Sequence, residues 1–435
     1  MIDGFADLLD PGTAAPFRFS HAVPLGALRV ARASVHGRAV AVIAIDQGGK
    51  RGAIGITEAD ALAAVFDALV AQPVPLVLLL DSSGARMDMG LVMLAAFRRL
   101  LAVALRARQR GVQSIAVVRS ICYGGASMLA YIAQRRICTA TSRIAMSGPA
   151  VIASLEAKEG VDCGDMDVEA LLAGSARARL IEHDRLCADD ADALRSVLAE
   201  CLDRLQEPAA DALAQRHRAL FDRLGRFDVD LPRSPSPSPP WLKQRMDALL
   251  GAGFEAILGA GLVRGVRLRG GREITITGIV GGAPLGAAPS WMLAESIITS
   301  VRTRPERPIV ILCDSPGHAA TRADERVLLS EYLVHLAQTV QWATEQGVAV
   351  SVWILGEASG GGYVTLTAAC RSVLALPRAD IRVLPRTVIA SVIGGTAQDD
   401  REPERWLQLG LVDHVLPSDA LTDAAARGAG LPPVG

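Results

Sequence analysis

One series of segments occurs twice in the sequence, and this duplication limits the folds open to the chain. HGRAVAVIAID, which starts at residue 36, is repeated as GGREITITGIV, and VPLVLLLDSSG is repeated as RPIVILCDSPG. The matched positions are Gly37 with Gly271, Asp81 with Asp314, Gly125 with Gly361, and His183 with His414, at offsets of 234, 233, 236 and 231 residues. Four matches in the same order at nearly one offset indicate two copies of one domain.

A segment rich in Pro and Ser, LPRSPSPSPPWLK at 231–243, lies between the two copies. Alternating Pro and Ser favour an extended spacer over a helix or a central strand. With 435 residues, the chain is also longer than one hydrophobic core usually serves. We predict a first domain at 1–230, a linker at 231–243 and a second domain at 244–435.

Strand-like apolar segments alternate with helix-like segments in each copy. In the first copy the predicted strands are AVAVIAI, PLVLLL, SIAVVRS and RRICTATSRIAMSG, and the predicted helices are ADALAAVFDALVAQ and LVMLAAFRRLLAVALRARQRG. In the second copy the predicted strands are ITITGIV, PIVILC, AVSVWIL and RSVLALPRADIRVLP, and the predicted helices are WMLAESIITSVRT and ERVLLSEYLVHLAQTVQWATEQG. This alternation indicates an α/β fold with parallel strands.

Composition excludes several functional classes. The 45 Lys and Arg residues nearly balance the 46 Asp and Glu residues, and a net charge of −1 provides no field that attracts nucleic acid or an anionic membrane. No apolar stretch is long enough for a membrane helix, and the start of the chain lacks the pattern of a signal peptide, so we expect a cytoplasmic protein. The seven cysteines form no C-x-x-C pair. We therefore expect no metal site and interpret the cysteines, Cys122 included, as buried thiols.

Each copy has a glycine turn between a predicted strand and a predicted helix, CYGGAS in the first and SGGGY in the second. The first N–H groups of a helix have no partner within the helix, and glycine lets the backbone approach a ligand closely. Such a turn can form an oxyanion hole, although tight packing of strand against helix also explains it. A second loop, DSSG and DSPG, follows a buried strand in each copy. Because the strands are expected to be parallel, both kinds of loop should lie at the same edge of the sheet. The loops, with Gly84 and Gly317, can form the wall of a binding site for a thioester there.

Several segments of the sequence resemble a known enzyme family. SSGARMDMG, CYGGASM, SRIAMSGPAVI and LIEHDRL resemble the beta subunit of biotin-independent malonate decarboxylases and, more distantly, the carboxyltransferases of acyl-CoA carboxylases. DSPGHAATRADE, GEASGGGYVTLTAACRSVLALPRADIRVLP and LGLVDHVLP resemble the gamma subunit of the same decarboxylases. The chain departs from the family because the two subunits are joined and because SGGGY is richer in glycine than the gamma-subunit turn.

The resemblance implies two tandem crotonase/ClpP-like ββα superhelix domains. It also implies decarboxylation of a malonyl thioester, carried on the coenzyme-A-like arm of an acyl carrier protein, to the acetyl thioester and CO2, as a carbon–carbon lyase would do. An acyltransferase subunit is the other expected partner, and the chain itself is expected to bind no cofactor. The two domains can pair within one chain or in a homodimer. A carboxyltransferase that uses biotin on another chain, and an acyl-carrier-binding scaffold without catalysis, remain open alternatives.

Loss of CO2 from such a substrate leaves an enolate that needs hydrogen-bond donors. The candidates are the main-chain N–H groups of Gly124, Gly125, Gly361 and Gly362, and we predict that both turns face one cleft. His318 is a candidate acid or carboxylate ligand, and the lesser candidates are Glu357 and Tyr123. Ser359 is a candidate donor or an N-cap.

Arginine is the natural partner for the phosphates or the carboxylate of such a substrate. Arg86 is our first candidate for this contact because it follows the Gly84 loop. A helix with five arginines (Arg98, Arg99, Arg106, Arg108 and Arg110) is either a solvated face or a docking surface for an acidic carrier protein.

Overall fold

The computed structural model describes residues 6–45, 52–159, 167–207, 209–231, 261–269, 272–385 and 402–416. The chain forms two compact units. Unit 1 comprises Met1–Met89, Ala96–Ala212 and Ala320–Val334, and unit 2 comprises Gly90–Ala95, Leu213–Ala319 and His335–Gly435. The predicted linker lies outside the described residues except for Leu231, so the predicted domain boundaries stay predictions.

Unit 1 contains a seven-stranded sheet in the order β1-β2-β3-β4-β5-β7-β9. The β2–β3 hairpin is antiparallel. The following pairs, β3–β4, β4–β5, β5–β7 and β7–β9, are parallel. The strands are β1 Ala15–Pro16, β2 Leu28–Val35, β3 Arg38–Ile45, β4 Leu76–Leu79, β5 Ser114–Val118, β6 Ile121–Tyr123, β7 Arg135–Thr139, β8 Arg143–Ala145 and β9 Arg185–Cys187. Strands β6 and β8 form a separate parallel pair beyond the end of β5.

The helices of the first repeat alternate with these strands. They are α1 Ile56–Ala71, α2 Gly90–Gln109, α3 Gly125–Ile132, α4 Pro149–Glu159, α5 Val168–Leu172, α6 Gly174–Arg177, α7 Ala191–Asp203 and α8 Ala212–Arg226, with short 3-10 turns at Ala6–Leu8 and Met87–Met89. One face of the sheet packs on α7, where Val77 and Ile115 contact a cluster that includes Leu194 and Leu198. Burial of this apolar surface fixes the strand ends that carry the candidate site.

Unit 2 repeats the same plan. Its sheet has the order β10-β11-β12-β13-β14-β16, and β15 pairs with the end of β13. The strands are β10 Leu262–Arg269, β11 Arg272–Ile279, β12 Ile309–Ser315, β13 Val350–Ser359, β14 Ser372–Ala375, β15 Asp380–Arg382 and β16 His414–Val415. The helices of the second repeat are α9 Ala287–Thr303, α10 Arg322–Arg326, α11 Leu329–Glu345, α12 Gly360–Thr367 and α13 Pro403–Gln408. The antiparallel β10–β11 hairpin followed by parallel strands reproduces the first repeat, so the predicted duplication is confirmed.

Several predicted elements differ from the observed ones. RRICTATSRIAMSG forms two strands, because β7 pairs with β5 and β8 pairs with β6. RSVLALPRADIRVLP forms β14 and β15, which pair with different parts of β13. The long helix predicted from Glu325 breaks at Leu328, whose φ of 70° is left-handed and cannot continue an α-helix. Strands β2 and β10 were absent from the prediction because arginines interrupt the apolar pattern of both sequences.

The compact units do not coincide with the two sequence repeats. Residues 320–334 come from the second repeat and lie in unit 1, whereas residues 90–95 come from the first repeat and lie in unit 2. Helix α10 is therefore part of unit 1, where it packs on α5.

Candidate active site

The DSSG loop of unit 1 is held by its own acidic side chain. Asp81 is 6% exposed, and its Oδ1 accepts the main-chain N–H groups of Arg119 at 3.0 Å and Ser120 at 2.8 Å. Burial raises the pKa of Asp81, and the two N–H donors, which lower the pKa, only partly offset this effect. The carboxylate thus ties the end of β4 to the segment that leads into the glycine turn.

Two further residues bring the DSSG loop against the glycine turn. The Ser82 hydroxyl donates to Gly52 O at 2.6 Å and accepts the Gly84 N–H at 3.1 Å. Gly84 has a φ of 100°, and a Cβ there would lie 2.9 Å from Tyr123 O and 3.6 Å from the Cα of Gly124. Only glycine fits this approach, so Gly84, Tyr123 and Gly124 meet as predicted for one edge of the sheet.

The glycine turn of unit 1 opens helix α3. Gly124 is its N-cap with a φ of 57°, and its N–H donates to Ala145 O at 3.1 Å. Within the described part of the chain, the first main-chain N–H of α3 that meets an acceptor is that of Ser127, which donates to Gly124 O at 3.0 Å. The predicted donor Gly124 is therefore already used inside the fold, and the outward-pointing groups are those of Gly125 and Ala126.

The same architecture recurs in unit 2. Asp314 Oδ1 accepts the Glu357 N–H at 3.0 Å, and Ser315 Oγ accepts the Gly317 N–H at 3.3 Å. Gly317 has a φ of 118°, and a Cβ there would lie 2.8 Å from Ser359 O. This contact corresponds to that of Gly84 with Tyr123, so the two loop pairs are built alike.

The backbone agrees with the predicted match of Gly125 with Gly361. Gly360, with a φ of 48°, is the counterpart of Gly124, since it is the left-handed residue at the start of its helix. Gly361 then corresponds to Gly125, and Gly362 corresponds to Ala126. The matched N–H groups are therefore the second and third residues of each turn, as predicted for the second repeat but one residue later than predicted for the first.

Tyr123 lies at the edge of the first turn as a half-buried side chain. Its ring covers Gly148, where a Cβ would lie 3.5 Å from the ring, and it packs on the apolar cluster of Ala145, Ile152 and Leu172. Burial raises the pKa of Tyr123 to about 12. The phenol is thus protonated at neutral pH and can donate a hydrogen bond.

His318 follows Gly317 and lies beside the start of helix α12. A Cβ on Gly360 would be 3.8 Å from both Cε1 and Nδ1 of the imidazole. The residue as a whole is half-buried, but its ring is desolvated, and this lowers the pKa of His318 to about 4. His318 is therefore neutral at physiological pH, which fits a hydrogen-bonding role better than that of a charged acid.

Ser359 does not cap helix α12, although it occupies the N-cap position. Its hydroxyl donates instead to Pro316 O, which closes the DSPG loop onto the strand. The N-cap prediction for this side chain is therefore wrong, because the hydroxyl is directed at the Pro316 carbonyl and accepts no N–H of the helix. Glu357, the lesser candidate, contributes its main-chain N–H to Asp314.

Arg86 lies two residues beyond Gly84, on the same loop. Its guanidinium pairs with Asp88, with Nη2 at 2.6 Å from Oδ2 and Nε at 3.2 Å from Oδ1. This pairing raises the pKa of Arg86. A phosphate or carboxylate would have to compete with Asp88 for this side chain, and a role for Arg86 in substrate binding stays a prediction.

The arginine-rich helix α2 pairs in part with helix α1. Arg99 contacts Asp60 at 3.3 Å and Arg106 contacts Asp67 at 3.4 Å, and all four side chains are at least half exposed. These two pairs favour the interpretation as a solvated face.

Five of the six described cysteines confirm the predicted burial, and Cys163 lies outside the described residues. Cys122, Cys138, Cys187, Cys201 and Cys313 are buried and Cys370 is half-buried. Burial raises the pKa of the Cys122 thiol, so it is not an activated nucleophile. Among the residues that the structure describes, no three His, Cys, Asp or Glu side chains are grouped to hold a metal ion.

Sequence reasoning missed a buried polar network in unit 1. Glu325 on α10 is fully buried and pairs with Arg177, with Oε2 at 3.2 Å from Nη2. Arg322 on the same helix pairs with Glu156 at 3.1 Å. The charged run TRADE, directly after the DSPG loop, was the available signal, but its partners lie about 150 residues earlier in the chain.

Unit 2 holds a second polar group away from its glycine turn. His217 contacts His335 at 2.9 Å and Glu295 at 2.8 Å, and its ring stacks on Trp291 with centroids 4.5 Å apart. Trp291 and Glu295 also line an open cleft of about 320 Å³. Burial lowers the pKa of both histidines.

Comparison with known proteins shows two regions of similarity to protein families. Residues 13–196 match the family model described as "Carboxyl transferase domain", and residues 281–400 match the one described as "Malonate decarboxylase gamma subunit". The first part of the chain is thus similar to a carboxyl transferase domain, and the second part is similar to a malonate decarboxylase gamma subunit. The predicted family resemblance and the predicted tandem crotonase-like fold are confirmed, and the broad activity of this family is decarboxylation or carboxyl transfer.

Individual relatives span both kinds of enzyme. The "Acetyl-coenzyme A carboxylase carboxyl transferase subunits beta/alpha" of Salinispora tropica is 25% identical over 403 residues, which cover 85% of this chain and 69% of the relative. A Pseudomonas malonate decarboxylase hetero-dimer is 25% identical with a TM-score of 0.41, over 51% of this chain and 92% of that one. The transcarboxylase 12S hexamer is 19% identical with a TM-score of 0.38, over 97% and 87%. Among the described residues, none of the helices has the length and apolar character needed to cross a membrane.

Proposed function

We propose that this protein decarboxylates a malonyl thioester, carried on an acyl carrier protein, to the acetyl thioester and CO2. The observation that carries the proposal is the order of the two family matches, a carboxyl transferase domain followed by a malonate decarboxylase gamma-subunit domain. Two glycine turns of the same construction, one in each repeat, supply the chemistry that this reaction needs.

The proposed reaction breaks the bond between the malonyl CH2 and its carboxylate. The electron pair of that bond passes into the thioester, which becomes an enolate, and CO2 leaves. The CH2 carbon of the enolate then takes up one proton to give the acetyl thioester. Donors aimed at the thioester oxygen lower the barrier because negative charge develops there. The N–H groups of Gly125 and Ala126, and those of Gly361 and Gly362, are the proposed donors.

Two side chains complete the proposed sites. Tyr123, protonated because its pKa is raised to about 12, can donate to substrate at the first turn. His318 lies at the second turn and is neutral, so we assign it to hydrogen bonding with the carboxylate or the enolate oxygen. An imidazolium with a pKa of about 4 would be too scarce at neutral pH to serve as the main proton donor.

The proposed partners follow from the reaction. The acyl carrier protein presents the substrate on its coenzyme-A-like arm, and an acyltransferase subunit reloads the carrier with malonate. The chain itself binds no cofactor in this scheme. Assembly with other subunits is part of the same proposal, and the Pseudomonas malonate decarboxylase structures are a hetero-dimer and a hetero-tetramer.

The test is incubation of the purified protein with malonyl-carrier protein in the absence of biotin. Release of CO2 and appearance of acetyl-carrier protein are expected, and a His318→Ala variant should slow both. Strict dependence on a biotinyl protein would instead assign the chain to carboxyl transfer. That second function is favoured by the Salinispora relative, which is a carboxyl transferase and aligns with 85% of this chain. Carrier binding without either reaction would identify a scaffold.

A further inference from the structure

We propose that Glu325 is a positioning residue, which holds the loop at 145–148 against the glycine turn of unit 1. The inference rests on the proposed function insofar as it concerns turnover. Glu325 belongs to the second repeat in sequence and to unit 1 in space. It therefore places a side chain of the gamma-like sequence in the structure of the carboxyl transferase domain.

The Glu325 carboxylate binds the loop through a main-chain N–H group. Its Oε1 accepts the Ser147 N–H at 2.9 Å. Its Oε2 pairs with Arg177, which also donates to the Glu325 main-chain oxygen. Glu325 and Arg177 are 0% and 2% exposed, so no water competes for these bonds.

The loop in turn contacts the glycine turn at both of its ends. Ala145 O accepts the Gly124 N–H at 3.1 Å, and this bond fixes the N-cap of helix α3. At the other end, Gly148 lies under the ring of Tyr123. A shift of the loop would therefore move both the N–H groups at the start of α3 and the phenol beside them.

A second ion pair anchors the same helix. Arg322 Nε lies 3.1 Å from Glu156 Oε2, and the Arg322 N–H donates to Glu156 Oε1 at 3.0 Å. Glu156 is on α4, the helix that directly follows the loop. Helix α10 thus holds the loop and the next helix together, and Glu325 makes the contact nearest to the turn.

The test compares two double variants that remove the ion pair equally. Arg177→Leu/Glu325→Gln retains an amide oxygen that can accept the Ser147 N–H, whereas Arg177→Leu/Glu325→Leu has no acceptor. We expect kcat for CO2 release from malonyl-carrier protein to be about tenfold or more lower in the Leu variant than in the Gln variant, with KM changed far less. Equal kcat values in folded protein would overturn the proposal.

The buried pair Arg136–Asp184 provides the matched control. It lies in unit 1 at 2.7 Å, with side chains 5% and 2% exposed, and Arg136 also donates to Ala130 O and Ala133 O at the C-terminal end of α3, the end opposite the glycine turn. Arg136→Leu/Asp184→Leu should change thermal stability to a similar degree and leave kcat near that of the native protein. A loss of kcat in this control as large as in the Arg177→Leu/Glu325→Leu variant would show a general effect of stability and overturn the positioning role.

Hydrogen exchange separates failure of this inference from failure of the proposed function. The Gly124 amide is bonded to Ala145 O, so its exchange reports the loop position whatever the reaction is. It should exchange slowly in the native protein and the Gln variant, and at least about tenfold faster in the Leu variant. Unchanged exchange overturns the positioning role even if CO2 is released. Faster exchange without any CO2 release overturns the proposed function alone.

Discussion

At Gly125 the absence of a side chain serves packing as well as chemistry. A Cβ there would lie 2.1 Å from Cζ of Phe97, a ring that is 4% exposed. We expect Gly125→Ala to destabilise the fold by about 1–3 kcal/mol through overpacking. Phe97→Leu alone should cost about 1–2 kcal/mol, and the double variant should cost less than the sum because the leucine makes room. Urea unfolding of the four proteins measures this coupling, and strict additivity would contradict the close packing of Gly125 on Phe97.

His318 provides a pH-dependent prediction of its own. Its pKa is about 4 in the folded protein and near 6.5 when unfolded, so the unfolded chain binds more protons between these values. Stability should therefore fall as the pH drops from about 6.5 towards 4. Between pH 7 and pH 5, the native protein should lose on the order of 1–2 kcal/mol more than His318→Gln. His217 and His335 are unchanged in both proteins, so their contributions cancel in the comparison. Equal losses would show that the ring is hydrated.

Residue types at the site were predictable from the sequence, but their bonding was not. Gly84, Gly124, Gly317 and His318 lie at the sheet edges where the motifs put them. Gly124 was among the predicted donors of the first repeat, because nothing in CYGGAS shows that Ala145 O accepts its N–H. Likewise, the sequence pattern could not reveal that the Ser359 hydroxyl donates to Pro316 O and does not cap the helix.

At the scale of elements, helices α1 and α2 show why a run of arginines is a weak signal for a partner. Asp60 and Asp67 are seven residues apart, as are Arg99 and Arg106, and the two pairs therefore form along one shared face. Exposed pairs of this kind contribute little, since water and salt screen them. We expect Arg99→Ala/Arg106→Ala to change the free energy of unfolding by less than about 1 kcal/mol.

The same variant tests the alternative interpretation of this face. Its affinity for the acyl carrier protein, measured by calorimetry, should equal that of the native protein. A control with Arg38→Ala, which breaks an exposed pair with Asp203 elsewhere in unit 1, shows the effect of charge removal alone. Carrier binding at least tenfold weaker in the α2 variant than in this control would restore the docking role.

Helix and strand order followed from hydrophobic periodicity because buried strands and amphipathic helices carry strong local signals. The breaks between neighbouring elements could not be predicted from this periodicity. Leu328 is an ordinary leucine in an apolar run, and only its tertiary surroundings hold it at a φ of 70° and separate α10 from α11. Strands β7 and β8 were predicted as one because the turn between them has no glycine or proline.

At the scale of the whole molecule, the duplication could be inferred from the offsets, but the exchange of segments between the repeats could not. Matching offsets show which segments are alike and leave open which segments pack together. Residues 320–334 supply unit 1 with Glu325 and Arg322, the partners of Arg177 and Glu156. A fragment that ends at the linker would keep Arg177 and Glu156 and lose both partners.

This composition of unit 1 makes a prediction about chain division. Expressed alone, residues 1–231 should fail to show a cooperative thermal transition, because Arg177 and Glu156 lose their partners and loss of one partner from the buried Arg177–Glu325 pair alone costs about 3–5 kcal/mol. Co-expressed with residues 232–435, the fragment should fold and co-purify with it, since the missing segment is then supplied in trans. Replacing Arg177 and Glu156 together by leucine should partly restore the transition of the lone fragment, whereas the same change at the intact Arg136–Asp184 pair should not. A lone native fragment that melts as cooperatively as the full chain would show that unit 1 does not need residues 320–334 to fold.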